Sequence, residues 1–492
     1  MVACHSGARD SGRNKSSGGV KMWWTVLKLE WRILRRDRGA LGVLVLFAIF
    51  LLGASLAGGR QSSALDSGLE RSKQEERARF DGHTERLEDP VFLKSELRSR
   101  DSRSPAWMGK EGAVRLASLP AAPLAPLALG QRDLYPQAIR ISTEVFLTSE
   151  RETETAMSGP TRLMTGSFDP AFLFVVLFPL LIIALSYEIL SGERERGTLA
   201  MLLSQPVTQR ALVMGKAGAR AVGLCAVTLF FAALGLLAAG ANLSAPQAWI
   251  HVILFVAILV AWSLFWFSAS VAVNSFGGTS ARNALALVGV WLVLVVVIPG
   301  LVHVAVDTFH PPPSRMELVH ESREAAKDVE KRLTGIEGRH DVDTRTTGYA
   351  RKVAEAQEQL AERSSEVFEE FREKNRRRQG LVRGLQFISP AIVVQLVLED
   401  LAGSGAARHQ IFDEQVDGFH ARFRNFFFSK IKSEGRFTAE DLSSVPAFQF
   451  EEERISELAG RCLWSAFLLL LAASALIGLA WPRLKHIGRL TR

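Results

Sequence analysis

Apolar residues in this chain are gathered into uncharged blocks instead of recurring at the spacing of a soluble core. Gly39 to Gly59, Pro170 to Tyr187, Ala221 to Ala281, Asn283 to Val306 and Cys462 to Pro482 contain no Asp, Glu, Lys or Arg. Each block is long enough to cross about 30 Å of hydrocarbon at ~1.5 Å per helical residue. The third is too long for one crossing, and Gly240-Ala-Asn-Leu-Ser-Ala-Pro246 breaks it with a cluster of turn formers. The pattern therefore predicts six spans, at 39–59, 168–187, 218–240, 249–274, 283–306 and 461–482. Between them it predicts a disordered start over 1–21, an interfacial helix over 22–38 and a first outer segment over 60–167. A loop over 188–217, a second outer segment over 307–460 and a basic tail over 483–492 complete the chain. The expected fold class is an all-α integral membrane protein with six transmembrane helices and two large, mainly helical extracytoplasmic insertions.

Charge sets the orientation. Residues 1 to 38 carry nine Lys/Arg against three acids, and the tail after Pro482 carries Arg483, Lys485, Arg489 and Arg492 with no acid. Both termini are expected in the cytoplasm under the positive-inside rule, and six crossings return the chain to its starting side. The outer segments are nearly balanced, with sixteen basic and sixteen acidic residues in the first and twenty-three against twenty-eight in the second. The net charge of +8 thus comes from the cytoplasmic face and reads as anchoring to the anionic lipid bilayer, with no nucleic acid as partner. The expected location is the plasma membrane, as the bacterial inner membrane.

The first apolar run begins only at Gly39 and is as long as a full span, unlike the short core of a signal peptide. Residues 1 to 20 are rich in Ser, Gly and Arg, and Met22 offers an alternative start. From there Trp24, Leu27, Trp31 and Leu34 recur at helical spacing beside Lys28, Arg32, Arg35 and Arg36. That is the pattern of an amphipathic helix in the cytoplasmic interface, or of an inward extension of the first span. Cys225 and Cys462 fall in spans and Cys4 in the start, so both outer segments are expected to fold without disulfides.

The first outer segment mixes charged helical stretches with Leu119-Pro-Ala-Ala-Pro-Leu-Ala-Pro126 and Gly130-Gln-Arg-Asp-Leu-Tyr-Pro136, where proline favours extended chain. The second opens on Pro311-Pro-Pro313. It then carries one stripe of Val319, Ala326, Val329 and Leu333 and another of Val353, Leu360, Val367 and Phe371. With a turn over Gly335 to Gly338, these suit a helical hairpin or two faces of a compact helical domain. Gly384 to Leu398 is uncharged for only fifteen residues and bounded by Arg383, Glu399 and Asp400. A seventh crossing there would put the basic tail outside, so the stretch is read as a helix at, or dipping into, the outer leaflet, or as a buried core helix.

Catalytic chemistry is sparse. A phosphate-binding G-x-x-x-x-G-K-[ST] loop is missing, and the two Gly-Lys pairs at 109 and 215 are followed by Glu and Ala. The chain also has no H-E-x-x-H, C-x-x-C or G-x-S-x-G. It is thus not an enzyme by these routes, and neither a cofactor nor a metal is expected on it. His409 and His420 lie eleven residues apart and could share a helix face, but a metal needs more ligands than two, and solvated or capping histidines are the plainer reading. Arg220 and Arg282 stand at span ends, where snorkelling to the interface accounts for them, and His303 is placed at the outer interface. Without a carboxylate at mid-depth, proton-coupled transport is disfavoured.

The most distinctive stretch is the short loop between spans two and three. Glu193, Arg194, Glu195 and Arg196 alternate in sign, Gly197 allows a sharp turn, and Thr198 is placed to cap a short helix presenting Leu199, Leu202 and Leu203. Pro206 ends that helix, Thr208 caps the next, and Arg210 and Lys216 lead back to the membrane. By its residues alone this is either a docking helix for a soluble partner or a loop whose leucines tuck against the lipid interface.

Ser191-Gly-Glu-Arg-Glu-Arg-Gly-Thr198, Leu202-Leu-Ser-Gln-Pro-Val207 and Leu212-Val-Met-Gly-Lys216 closely resemble the signature of type 2 ABC exporter permeases. The order of interfacial helix, six spans, loop after span two and dipping helix before span six is similar too. The outer segments are larger than in the simplest members and match a subgroup with large extracytoplasmic insertions. Pro123 to Pro136, Ser389-Pro-Ala391 and Leu401-Ala-Gly403 look like recurring pieces of that subgroup. The resemblance implies a permease subunit that works with a cytoplasmic ABC ATPase subunit and a second permease, as homodimer or with a sister chain. ATP would be bound by the ATPase, not by this chain. It places the ATPase-coupling residues among Glu188, Gly192, Glu193, Arg194, Glu195, Arg196, Gly197 and Thr198, with Leu199 and Leu202 as apolar anchors. Two rival readings stay open at this point: a mechanotransmitting or sensory protein acting on an extracytoplasmic partner, and an assembly factor for an extracytoplasmic metal enzyme.

Overall fold

The computed structural model describes residues 30–33, 36–96, 100–130, 132, 136–144, 168–204, 208–244, 246–311, 347–433 and 435–486, with isolated positions 320, 324, 327 and 331. Among them six helices are long and apolar enough to cross a membrane: Arg38–Glu88, Pro170–Glu195, Gln209–Ala238, Pro246–Asn274, Ser280–Phe309 and Ile455–Leu484. The chain is an all-α multi-pass membrane protein.

The first of these helices runs far beyond its apolar block. Asp37 starts it, its carboxylate accepting from the amides of Gly39 and Ala40. Charge begins at Arg60 but no proline follows until Asp89-Pro90, and Glu, Gln, Lys and Arg are good helix formers that outweigh Gly68 and Gly82. The result is one rod of 51 residues whose outer half stands clear of the hydrocarbon.

The second span is the most enclosed of the six, and the fourth keeps Trp262 and Trp266 fully buried between its neighbours. Spans two and five each contain a stretch of wide π-helix, Leu173–Leu177 and Leu292–Val297. Such a bulge disturbs the regular ladder, and hydrocarbon offers no water to satisfy a displaced carbonyl. Side chains of other elements serve instead. The Trp262 ring N–H donates to the Phe174 carbonyl at 2.9 Å, that of Trp291 to Val176 at 3.1 Å, and the Ser389 hydroxyl to Leu294 at 2.6 Å.

That last bond fixes the stretch before span six. The charged helix Thr347–Leu385 passes the outer end of span five, where Arg378 pairs with Asp307. It descends until Ser389 meets Leu294, the twelfth of the twenty-four residues in the uncharged block 283–306. Ser389 then caps the helix Pro390–Ala402, which climbs back with Val393, Val394, Val397, Leu398 and Leu401 buried against spans four and six. The stretch therefore dips halfway and returns. Its close at Gly403 is followed by Ala406–Lys432, bent from it by 45°.

Outside the membrane the two insertions share one core. Strands β1 (Arg115–Ser118) and β2 (Ala138–Ile141) pair antiparallel, with Arg115 opposite Ile141. Phe412, Val416, Phe419, Phe423 and Phe427 form one buried face of Ala406–Lys432 at three- and four-residue spacing. They pack with Met108, Ala117, Ile139 and Ile141 from the first insertion. Arg115 ties the same regions, reaching Glu76 on the long first helix and the carbonyls of Val445 and Pro446.

The helical reading of the insertions needs one addition, this small sheet. Its strands are four residues each, too short for alternation to register in the sequence. The expected stripe from Val319 to Leu333 and the turn at Gly335 to Gly338 lie outside the described residues, as do the side chains of Val353, Leu360 and Val367. So do residues 1–29, with the expected interfacial helix over 22–38 described only at 30–33, which are helical, and at 36–38, where Asp37 caps the first span.

Candidate functional site

The loop after span two is held by its own charges. The second span loosens into turns over 187–190 and resumes as Ser191–Glu195 before Gly197 reverses the chain at φ +72°. A side chain there would be strained, so glycine is the residue that the turn requires. The next helix, Thr198–Leu203, is short, and Thr208 caps the third span by accepting from the Ala211 amide at 3.2 Å.

Each signature residue has a definite place. Glu193 receives Lys216 at 2.6 Å and the Thr198 hydroxyl. Thr198 is thus not the cap that the sequence suggested; Gly197 holds that position, and the hydroxyl turns back to Glu193. Arg194 donates to the Gly277 carbonyl at 2.5 Å, and Glu195 accepts from the amide and hydroxyl of Ser280 at 2.6 and 2.9 Å. These two residues clamp the start of span five, where a carboxylate also suits the positive end of the helix dipole. Ser191 adds a hydroxyl contact to Ser280 at 2.9 Å, and Gly192 is buried beside Glu188.

The surface left open is smaller than the motif. Arg196 is exposed, 3.3 Å from Glu188. On the short helix Leu199 is only 3% exposed and belongs to the chain's own core, with Leu202 half-buried against it. The apolar group facing outward is Met201, at 65% exposure, beside exposed Ala200 and Ser204. The side chain of Leu203, and Pro206, lie outside the described residues.

Beneath the loop is an ionic knot. Lys216 is buried between Glu193 and Glu30, the latter at 3.2 Å, and Arg220 reaches the same Glu30 at 3.5 Å. Arg220 also donates to the Leu185 carbonyl, so it is a buried partner and not a snorkelling one. Glu30 had no signal in the sequence beyond lying one residue before Trp31, whose ring rests on Gly223 of span three. The knot joins the segment before span one to the loop and to span three.

A second constellation lies at the outer end of the bundle, where the proline-rich loop, the start of span two and the top of the dipping helix meet. Asp169 accepts from the amides of Leu129 and Phe172 at 2.9 Å each. Gly130 takes φ +47°, and a Cβ on it would lie 2.6 Å from the Ser404 hydroxyl and 3.1 Å from Glu399. Glu399 is buried and receives the Gln395 amide at 2.8 Å, while Arg461 binds both Asp400 and Glu453. Pieces read from the sequence separately, Pro123 to Gly130 and Ser389 to Gly403, are brought together here. The histidines have protein partners. His409 holds the Gly405 carbonyl and Gln137, each at 3.2 Å, and His420 the Glu144 carbonyl at 2.9 Å. Burial drives the His409 ring well below the usual histidine range, to about 4.

Residues 24–482 match the family described as ABC-2 family transporter protein. The chain belongs to the ABC-2 transporter family. A search among curated proteins matches none to it. As an ABC-2 permease it is a membrane transporter component, and the family implies an ABC ATPase as its partner. Within this permease the span order, the loop after span two and the dip before span six form one connected frame.

Proposed function

We propose that this ABC-2 permease couples ATP hydrolysis by a separate cytoplasmic ATPase subunit to export, pairing with a second permease to form the path. The observation that carries the proposal is the bracing of the loop. Glu193, Arg194, Glu195 and Lys216 tie the exposed patch of Arg196, Ala200 and Met201 to spans three and five and to Glu30. A push on that patch moves several helices at once, whereas a free loop would absorb it. Work of this kind requires the motor to bind two permease states with different affinity. Both termini and the loop then face the cytoplasm, with the insertions outside the plasma membrane.

On this reading the motif divides into two sets, contact at Arg196, Gly197, Ala200 and Met201, and bracing at Glu193, Arg194, Glu195 and Thr198. The test is ATPase stimulation by the purified permease in nanodiscs with its motor, identified by affinity purification and mass spectrometry. Arg196→Glu combined with Met201→Glu should abolish stimulation while melting temperature and membrane insertion stay unchanged. Wild-type stimulation in that variant would refute the assignment. A second reading, that the stroke acts on an extracytoplasmic partner and nothing crosses, is favoured by the folded outer domain with its own phenylalanine core. Replacing that domain by a short linker would abolish the output on this reading and leave ATP-driven transport on the first.

A further inference from the structure

The dipping helix leaves a cleft beside it that the bundle does not fill. It has a volume of about 460 Å³ and is lined by Phe265 of span four, Leu294 of span five, Trp464 and Leu469 of span six, and Phe387 and Pro390 of the dip. That is within the ~300–1,000 Å³ of ordinary ligand sites. Every one of these side chains is apolar apart from the indole N–H. The cleft is at mid-depth, because Ser389, next to Pro390, bonds the Leu294 carbonyl midway along the uncharged block of span five. It opens sideways past Phe387 and Trp464, which are 49% and 55% exposed.

Arg383 is exposed one helical turn before Phe387, on the charged side of the opening, and its charge also acts on Asp400. Ser389 lies six positions further on, past the tight turn Gln386–Ile388, which puts the Arg383 backbone roughly 9–12 Å above mid-depth at ~1.5–2.0 Å per residue. The hydrocarbon boundary lies about 15 Å from mid-depth, a distance that a snorkelling arginine spans. An apolar slot inside the bilayer with a cation over its mouth is complementary to one molecule of the surroundings. We propose that the cleft binds a glycerophospholipid of the outer leaflet, one acyl chain lying along Phe387, Leu294 and Trp464 and the phosphate on Arg383. The proposal rests on the membrane fold and on the outward placement of the insertions, not on coupling to a motor.

A second copy of the chain is the competing occupant. Span five offers it a different face, since Leu285, Leu292 and Val296 are 75%, 46% and 47% exposed. At ~100° per residue these three lie within about 20° of the side opposite Leu294. A partner seated on them leaves the cleft to lipid. Occupancy also has a mechanical meaning, because a chain wedged between spans five and six props the dip at its deepest point.

The test uses the full-length permease in nanodiscs of phosphatidylcholine doped with phosphatidylglycerol carrying a photoreactive group on one acyl chain. After irradiation, labelled peptides should concentrate at 384–393 and 464–472, at least fivefold over the lipid-facing controls around Phe230 and Leu237. Ala472→Phe, which fills the slot, should reduce that label to the control level. Arg383→Gln should lose the preference for phosphatidylglycerol over a photoreactive fatty alcohol. Gel filtration of both variants establishes that they fold, and Leu468→Phe serves as a second filling variant if Ala472→Phe does not. Label no higher at the cleft than at the controls overturns the proposal, as does label indifferent to filling. Disulfide trapping of two copies through Phe387→Cys would assign the cleft to an interface instead. None of these readouts uses the motor, so failure here and failure of ATPase coupling are separable.

Discussion

Among single residues, Lys216 shows how a polar side chain can be both costly and required. It is 8% exposed between two carboxylates, Glu193 and Glu30, so each charge is tolerated only because the others are present. Removing one member of a buried ionic set strands the rest, at about 3–5 kcal/mol. Lys216→Met should therefore lower the melting temperature of detergent-purified protein sharply, and Glu193→Gln in the same chain should restore part of it. An additive double variant would show that the three groups do not act as a set. Trp262 illustrates the same economy inside the bilayer. Trp262→Phe keeps one aromatic ring, gives up the rest of the buried indole and leaves the Phe174 carbonyl without its donor, a loss that by itself should cost about 1–3 kcal/mol in the same melt. A loss no greater than that of an exposed control such as Trp249→Phe would deny the bond that role.

Whole elements were legible in the sequence to the extent that their cause was local. Five uncharged blocks, a turn at Gly197 and a cap at Thr208 follow from residues that are neighbours in the chain. The unbroken run of the first helix to Glu88 is not set by the apolar block, because charge alone does not stop a helix. The depth of the dip is not legible in the sequence, because it depends on a hydroxyl at Ser389 meeting a carbonyl ninety-five residues away. Ala406–Lys432 carried a readable signal, phenylalanines at helical spacing, that was passed over beside the histidines. Phe423, fully buried in that stripe, is the place to test it. Phe423→Ala should destabilise the outer domain by about 3–5 kcal/mol and expose it to protease, while the bundle stays intact. Unchanged proteolysis would mean that the stripe is not the core of the domain.

For the molecule as a whole, the candidate site was legible as a motif but not as a division of labour. Alternating charges at 193 to 196 gave no sign that three of the four are turned to the permease itself, since their partners at Lys216, Gly277 and Ser280 are distant in sequence. The outer end behaves likewise and responds to acid. Burial holds His409 neutral down to about 4, against an ordinary value of 6.5. Its contribution to stability is therefore complete above pH 6.5 and is lost as pH falls from there toward 4, because the unfolded ring takes up a proton before the folded one does. Buried Glu399, whose carboxyl is pushed up to about 7, acts in the opposite sense, so the readout is the difference between wild type and His409→Gln, which should shift against the wild type as pH falls across that window. Parallel profiles would remove His409 as the cause.

The interleaved outer core has a consequence for how the protein is made. Ile141 and Val445 belong to one cluster, yet 304 residues of synthesis separate them. At ~5–20 residues per second, the first insertion waits roughly 15–60 seconds on the far side of the membrane before its packing partner emerges. During that interval its apolar strand face is open to other chains. On the proposed topology the extracytoplasmic compartment would shield that nascent surface, and assembly of the permease is timed by delivery of its last third.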